Sequence, residues 1–545
     1  MRTTVSEQAW RVLARGAAPV VFGNPGSTEL PFLATMPADM AYVTGLHESS
    51  VVAMADGYAQ TAQQPVVVNL HSAGGLGNAM GSLVTAYLNR TPLIVIAGQQ
   101  QRAMLPHAPF LGAPQATLMP QPHVKAAFEP ARPEDVPVVL QQALALATAS
   151  PTGPVFVSVP VDDWDHECAP LADHTPISVP APAAEALDRL AAALAGAAHP
   201  ALVLGAGVAR ARAIPAVVDL AQRLEAPVWM APMAASGGFP EHHGLFAGFL
   251  DATADRVHAA LAPYDVVAVI GAPAFTYHVP SPSPEGEERS GRQLYVIDDD
   301  PAMLARSVPA TRILGDPGAA IDGLLARTPT PCREPQPRPE RVTPTLPPLA
   351  VGELPSTAHV LATVLDQLPP DVLVVEEAPS ARPDIHRYLP INNPDQGFMT
   401  MASGVLGFGL PAAIGAALAD RGRPVVAIVG DGSAMYAIQS LWTAAQHHVP
   451  IVVIIIDNKQ YGAVLRHANA GNRDLSVSQA HRLGGLDFTA LATAQGVSAH
   501  RADSLDELRE HLRTTIGAAE PVLLWVPVAG VLAQHSTGPA PEIRG

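Results

Sequence analysis

The chain has 545 residues, of which 48% are hydrophobic and 15% charged, with a net charge of −17. That length exceeds one hydrophobic core and implies several domains, about three. The acidic balance argues against nucleic acid or an anionic membrane as the main partner, and solubility alone accounts for it. The two cysteines, Cys168 and Cys332, form neither a disulfide framework nor a metal-ligand spacing, so a reducing, cytoplasmic setting is expected. The opening MRTTVSEQAWRVL starts like an amphipathic helix without an apolar signal core, and no apolar run is long enough to suggest a membrane span.

Helix-like and strand-like stretches alternate from the start. A helix is expected over 6–15, and a short strand, 20–22, runs into Gly23-Asn24-Pro25-Gly26-Ser27-Thr28. A strand at 42–44 leads to Leu46-His47-Glu48, and a helix of small residues follows over 49–60. The strand 66–70 ends in His71-Ser72-Ala73-Gly74-Gly75, followed by a helix over 78–88 and strands at 93–97 and 155–159. Strands alternating with helices imply a parallel sheet covered on both faces. Three expected strand ends carry Ser27, Glu48 and His71 at what should be one sheet edge. Singly, Ser27 could cap a helix, Glu48 could cap or pair at the surface, and His71 could be a bonded turn residue. Their coincidence carries more weight than any one of them.

A Pro-rich, acidic stretch at about 166–183 reads as a linker, which places a first α/β domain at 1–180 and a second at 184–327. The second contains a helix over 184–194 and strands at 201–204, 227–231, 266–270 and 294–297. Gly205-Ala206-Gly207 follows the first of these strands. A lone GxG is a weak nucleotide signal, and a tight strand-to-helix turn is the plainer reading. The strand 266–270 leads to Gly271-Ala272-Pro273-Ala274-Phe275-Thr276-Tyr277-His278, whose histidine is either a surface residue or reaches a neighbouring domain. Prolines crowd 328–357, the clearest linker, and a third α/β domain is expected over 358–545, with a frayed end from about 534. The expected fold is therefore α/β, with three doubly wound parallel-sheet domains.

The most informative stretch is 425–462, VVAIVGDGSAMYAIQSLWTAAQHHVPIVVIIIDNKQYG. A buried strand over 425–429 ends in Gly430-Asp431-Gly432-Ser433, read as a tight turn. A helix over 434–446 follows, then a second strand, 451–456, ending in Asp457-Asn458. Ligands bind at the carboxyl ends of such strands. The glycines let a backbone approach phosphate, and Asp431 and Asn458 offer hard oxygens suited to Mg2+ on a diphosphate.

Gly430-Asp431-Gly432, with Asn458 26 residues beyond Gly432, resembles the diphosphate motif of thiamin-diphosphate-dependent enzymes. The family usually has a pair of asparagines where this chain has Asp457-Asn458; Asn458 matches the metal ligand, and Gln460 matches the position whose backbone carbonyl completes the metal site. VFGNPGS (21–27), ADGYAQ (55–60), NLHSAGGLGNAMG (69–81), PLIVIAGQQ (92–100), SVPVDDWD (158–165), DVVAVIGAPAFTYH (265–278) and GVLGFGLPAAIG (404–415) resemble the benzoylformate decarboxylase branch over nearly the whole chain. The resemblance implies pyrimidine-binding, central and diphosphate-binding domains. It also implies thiamin diphosphate with Mg2+, or Ca2+ in its place, and a homotetramer with active sites at dimer interfaces. It assigns Glu48 to the aminopyrimidine ring, Ser27, His71 and His278 to catalysis, Leu406 to the bend of the cofactor and Gly404 to its amino group. Around the diphosphate it places Gly430, Asp431, Gly432, Ser433, Asn458, Tyr461 and Gly462.

The reaction so implied is loss of CO2 from an aryl 2-keto acid, benzoylformate giving benzaldehyde, through a cofactor ylide and enamine in mandelate and aromatic catabolism. Phe110 and Leu111 are candidates for an apolar wall against the aryl group. One departure bears on substrate: after Tyr461-Gly462-Ala463, where the family carries bulky aromatics, this chain has Val464-Leu465-Arg466-His467. The alternatives are a carboligase or lyase resembling acetolactate synthase or benzaldehyde lyase, or a decarboxylase of another 2-keto acid. From other classes come an oxidoreductase using Gly205-Ala206-Gly207 and a non-catalytic binding protein. The histidines argue against the first, since protonation favours aldehyde release. No acidic ribose-binding residue follows the GxG at about 20 residues, and the complete Ser27, Glu48, His71 and His278 set argues against the last.

Overall fold

The structure, a computed structural model, describes residues 3–530 apart from 173–176, 178–179, 279–290, 329–342, 394, 472, 476–477 and 479. Parts of both expected linkers, with Cys332 and the expected frayed end, lie outside the described residues.

Thr3–Thr4 (β1) begins the chain and pairs antiparallel with a later strand. Val20–Asn24 (β2), Ala41–Thr44 (β3), Val66–Leu70 (β4), Leu93–Gln99 (β5), Ala127–Phe128 (β6) and Val155–Pro160 (β7) then form an all-parallel sheet in the order β3-β2-β4-β5-β7-β6. Glu167–Cys168 (β8) is the partner of β1. Pro200–Leu204 (β9), Val228–Met230 (β10), Phe246–Phe249 (β11), Val266–Ile270 (β12), Gln293–Asp298 (β13) and Thr311–Leu314 (β14) form a second parallel sheet, ordered β11-β10-β9-β12-β13-β14. Leu373–Glu377 (β15), Phe398–Met399 (β16), Val425–Gly430 (β17), Ile451–Asp457 (β18), Ser498–Arg501 (β19) and Val522–Pro527 (β20) form the third, ordered β16-β15-β17-β18-β20-β19. The inner strands are runs of Val, Ile and Leu because helices bury both of their faces. Every residue of β4, β5, β12 and β18 is buried.

Counted from its own first strand, the first sheet has the order 2-1-3-4-6-5, and so has the third. The order reverses between β2 and β4 in one and between β15 and β17 in the other. Such reversals open a crevice at the carboxyl ends of the strands.

The first and third sheets are joined by the helices Glu48–Ala62 and Gly409–Ala419. Glycine permits the contact: a Cβ on Gly57 would lie 2.0 Å from the Ala412 carbonyl oxygen, and one on Gly415 would lie 1.9 Å from that of Met54. These contacts run in opposite directions along the two chains, so the helices are antiparallel. One hydrophobic core therefore spans both sheets. The central sheet docks through Arg90, whose buried guanidinium bonds Asp298 at 2.9 Å and Asp299 at 2.5 Å.

Asp56, fully buried on the Glu48–Ala62 helix, accepts hydrogen bonds from Thr91, from Gln60 at 2.7 Å and from Asn89 at 2.9 Å. Burial pushes its pKa up to about 6 against the pull of these three donors. A carboxyl whose folded pKa is raised binds more protons folded than unfolded, so its contribution to stability falls as pH rises from its ordinary 3.8 to about 6. Asp56→Asn should lower the melting temperature, because its NH2 then faces at least one of the three donors, and should flatten the pH dependence between pH 4 and 6. Thermal melts across that range check both; an unchanged slope would remove Asp56 from the linkage.

Candidate active site

At the first crevice, β2 ends in Asn24 and the chain turns through Gly26 into a short 3-10 segment, Ser27–Glu29. Glu29, 2% exposed, turns back beneath the turn. One carboxylate oxygen accepts the Gly26 N–H at 2.7 Å and meets Nδ1 of His71 at 2.9 Å. The other accepts the Gly98 N–H at 3.0 Å and the Thr28 hydroxyl at 2.6 Å. Two glycines make this possible. A Cβ on Gly26 would sit 2.3 Å from His71 Nδ1, and one on Gly98 would sit 2.1 Å from Glu29. The carboxylate favours the proton on Nδ1 and turns Nε2 outward. His71 ends the segment after β4 and is the N-cap of the helix Ser72–Asn89; the expected loop through Gly74 and Gly75 is helix instead.

Glu48 is the first residue of the Glu48–Ala62 helix rather than a strand-end residue. It is 7% exposed and held by two side-chain amides, Asn24 at 3.2 Å and Asn78 at 3.0 Å. A carboxylate has further acceptor capacity, so it can take an additional donor. Ser27 lies exposed beside this group, next to Gly26. Ser27, Glu48 and His71 stand out in the sequence, whereas the side chains that bond two of them, Glu29, Asn24 and Asn78, do not. The signal for Glu29 was Gly26-Ser27-Thr28-Glu29, a capping-box spacing that the structure turns toward the histidine.

At the other crevice, the motif 430–433 does not form the expected loop. Gly430 is a helix N-cap with φ −73°, and the helix Asp431–Ala437 begins at once, followed after two turn residues by Ser440–Gln446. No left-handed backbone requires glycine here. Gly432 is small because a Cβ would meet the Tyr461 ring at 2.6 Å and Leu483 at 2.9 Å. Asp431 is 4% exposed; Oδ1 accepts the Gly432 N–H at 2.8 Å, and Oδ2 is buried with no partner. Burial, and then the neighbouring Asp457, push its pKa up to about 7. Asp457 is itself engaged, by the Trp525 indole at 2.9 Å and the Lys459 N–H at 3.0 Å. The departure at this position therefore serves the core.

Asn458, 8% exposed, and the backbone of Gln460 follow directly. The Gln460 carbonyl accepts the Gly462 N–H at 2.9 Å and keeps a second lone pair. An orphaned carboxylate oxygen, an amide oxygen and a carbonyl fit a hard divalent cation on a diphosphate, although no group of three or more His, Cys, Asp or Glu side chains among the described residues is arranged to hold a metal by itself. Ser433 is buried in the first turn of the helix, Gly462 is buried at the head of Gly462–Ala470, and Leu406 is half-buried against the shared core. Gly404 has φ +74°, a conformation that resists a side chain.

His278 is exposed, and its ring meets that of His467 edge-on at 5.4 Å and 75°. The central domain thus reaches the helix Gly462–Ala470 that follows the motif. Phe110, 87% exposed, and Leu111 lie on a loop tied to the end of β5 through Gln99, which bonds Ala113 in both directions at 2.8 and 3.1 Å. The turn at Gly205-Ala206-Gly207 is filled: Cβ atoms on Gly205 and Gly207 would lie 2.4 and 2.6 Å from the Gly271 backbone. Its glycines let β9 and β12 meet.

Within one chain the two groups stand apart. Gly57 packs near the start of the Gly409–Ala419 helix, and Glu48 lies about 13 Å further along the antiparallel helix at 1.5 Å per residue. Glu48, Ser27 and His71 therefore sit at one end of the helix pair. Leu406 and Gly404 sit at the other.

Two sheets of the same strand order thus each gather buried polar groups at the point where that order reverses. The family model for the N-terminal thiamine pyrophosphate binding domain matches residues 3–124, that for the central domain 187–324, and that for the C-terminal thiamine pyrophosphate binding domain 380–526. The chain belongs to the thiamine pyrophosphate enzymes. It is 39% identical to the benzoylformate decarboxylase of Pseudomonas aeruginosa, covering 96% of this chain and 98% of that protein. It superimposes on a thiamine diphosphate-dependent 4-hydroxybenzoylformate decarboxylase of Rhodococcus jostii with a TM-score of 0.91 at 35% identity, over 97% of this chain and 99% of the other. For the benzoylformate decarboxylase of Polynucleobacter necessarius the values are 0.88 and 36%, over 97% and 99%.

Glu29→Gln should lower kcat by about 10- to 100-fold, the scale seen when a group orienting a functional histidine is removed. Thiamin diphosphate affinity should stay unchanged. Steady-state kinetics and a cofactor titration check this; wild-type turnover would show that His71 does not need its carboxylate.

Proposed function

We propose that the protein removes CO2 from an aryl 2-keto acid of the benzoylformate class and releases the aldehyde, using thiamin diphosphate and Mg2+, or Ca2+ in its place. The observation that carries this reading is the Glu29–His71 pair beside Ser27 and Glu48 at one sheet edge. A decarboxylase must finish by delivering a proton and letting the aldehyde go, and a histidine fixed by a buried carboxylate suits that task. A carboligase has no such need at that step.

Bound thiamin diphosphate supplies the electron sink for the pair that departing CO2 leaves behind. Asp431, Asn458 and the Gln460 carbonyl would hold the metal, and Gly430, Gly432, Ser433, Tyr461 and Gly462 would surround the diphosphate. Leu406 and Gly404 would set the cofactor's bend and its amino group. Glu48 would bond the aminopyrimidine ring, its carboxylate kept in place by the Asn24 and Asn78 amides. Ser27 would hold the substrate carboxylate by hydrogen bonding. His71 Nε2 and the His278 ring would hold and move protons on the substrate side. Phe110 and Leu111 would shield the aryl group from water. On this reading the protein would serve aromatic catabolism, at the mandelate route.

Because the two half-sites lie at opposite ends of one helix pair, we place each complete site between two subunits, within a homotetramer of dimers. One chain's Glu48, Ser27 and His71 would face another's Asp431, Leu406 and His278. A second substrate is favoured by His467, which stands with Val464 on an exposed face of its helix and touches His278. A polar residue there suits a hydroxyl on the aryl ring, so 4-hydroxybenzoylformate belongs beside benzoylformate in any assay.

Incubation with thiamin diphosphate, Mg2+ and a panel of 2-keto acids should release CO2 and aldehyde, fastest from aryl substrates. No turnover of any 2-keto acid with the cofactor bound would overturn the reading. Glu48→Gln should lower kcat by about 100-fold or more while the protein stays folded. Mixing Glu48→Gln subunits with Asp431→Asn subunits tests the shared site. Random dimers should recover roughly a quarter of wild-type activity, because each mixed dimer regains one intact site. No recovery after verified subunit exchange would place each site within a single chain.

A further inference from the structure

The crevice between β15 and β17 contains a carboxylate with no role in the site as described so far. Glu377 ends β15 and is 0% exposed. Its oxygens accept two backbone N–H groups, Gly407 at 2.7 Å and Gly409 at 2.5 Å. Its neighbour Glu376 is committed elsewhere, to Arg382 at 3.0 Å, Thr400 at 2.9 Å and the Ala378 N–H at 2.6 Å.

The segment 404–409 is folded around this carboxylate. Gly407 takes φ +99°, and a Cβ on Gly409 would lie 2.5 Å from the Cβ of Glu377. The helix Gly409–Ala419 has Phe408 at its N-cap and no side-chain cap of its own, so Glu377 supplies from a neighbouring strand the acceptor that its first N–H lacks. Burial pushes the Glu377 pKa up to about 7, and the two N–H groups pull against that. The other end of the segment is tied to the first domain. The Ala402 N–H bonds Asn89 at 3.0 Å, and Ser403 bonds Thr85 at 2.7 Å and accepts the Val405 N–H at 3.0 Å. Leu406 is the residue between these two anchors.

We propose that Glu377 is a positioning residue that sets the shape of the 404–409 segment, and through it the placement of Leu406 and the Gly404 carbonyl against the ring portion of the cofactor. This rests on the thiamin diphosphate site given above. The Glu377 carboxylate bonds the Gly407 and Gly409 N–H groups and not the side chains of Asp431 or Asn458. Its side chain would act on the ring end of the cofactor, whereas 430–433 and 458–462 would hold the diphosphate end.

The test separates those two ends by binding, without relying on turnover. Full-length apoprotein is titrated calorimetrically with thiamin diphosphate plus Mg2+, and separately with inorganic pyrophosphate plus Mg2+. In Glu377→Gln one N–H keeps an acceptor and the other faces an amide donor. This variant should bind thiamin diphosphate about tenfold more weakly, the scale of one lost buried hydrogen bond, with pyrophosphate affinity unchanged within about twofold. Leu406→Ala should show the same split, and the double variant should be no weaker than Leu406→Ala by more than about twofold, because both act through one placement. Gly407→Ala, which strains the segment at φ +99° while leaving the Glu377 side chain in place, should reproduce the split if Glu377→Gln fails to fold. Equal loss of both ligands, multiplying effects in the double variant, or unchanged thiamin diphosphate binding would each overturn the proposal. Absence of aryl 2-keto acid turnover in the wild type would overturn the proposed reaction and leave the binding split standing.

Discussion

The constraint on which the rest depends is the contact between the helices Glu48–Ala62 and Gly409–Ala419. Gly57 and Gly415 bring their backbones to a separation at which even a methyl group would collide with a carbonyl. That closeness fuses the first and third sheets into one core. It also fixes the two half-sites at opposite ends of an antiparallel pair. The distance between Glu48 and Leu406 follows from helix rise and not from loop conformation, so no local rearrangement of a single chain closes it.

Two sheets of the same strand order use their crevices in matching ways. Each places a buried carboxylate at the point where the order reverses, Glu29 after β2 and Glu377 at the end of β15. Each carboxylate is surrounded by backbone N–H groups, and each is packed against glycines that leave it room. Glu29 orients a histidine. Glu377, on the reading proposed here, orients a leucine. A buried carboxylate is costly unless donors surround it, and glycine-rich turns supply such donors most densely. The central sheet has the order 3-2-1-4-5-6 familiar from dinucleotide-binding folds, but its crevice is closed by the Gly271 backbone. Its contribution is to dock on Arg90 and to carry His278 across to His467.

Much of this was legible in the sequence. Buried parallel strands are apolar along their whole length, so 66–70, 266–270 and 451–456 stood out. The polar residues that follow the apolar runs marked one edge of the sheet, because that is where a parallel sheet stops burying its side chains. The short strands Ala127–Phe128 and Phe246–Phe249 were not legible, since a few residues carry no period. The helical state of Gly74, Gly75 and Gly432 was also hidden. Glycine in sequence reads as a turn, and only the neighbouring Glu48 and Tyr461 show that Gly75 and Gly432 stand there for room.

Residue type and spacing at Gly430-Asp431-Gly432 and Asn458 suffice for a phosphate-binding strand end, and the motifs' resemblance to thiamin-diphosphate-dependent enzymes supplied the class of cofactor. The sequence also determined that Ser27, Glu48 and His71 share an edge. Only the tertiary structure decided which groups hold them. Glu29 reaches His71 across 42 positions of chain, Asn78 reaches Glu48 across 30, and Glu377 reaches Gly407 across 30. Hydrogen bonds of that separation leave no periodic trace in the sequence, since any acidic or amide residue could have made them. They are set by the packing of sheets and helices, and that packing is fixed by the points at which two backbones approach without side chains between them.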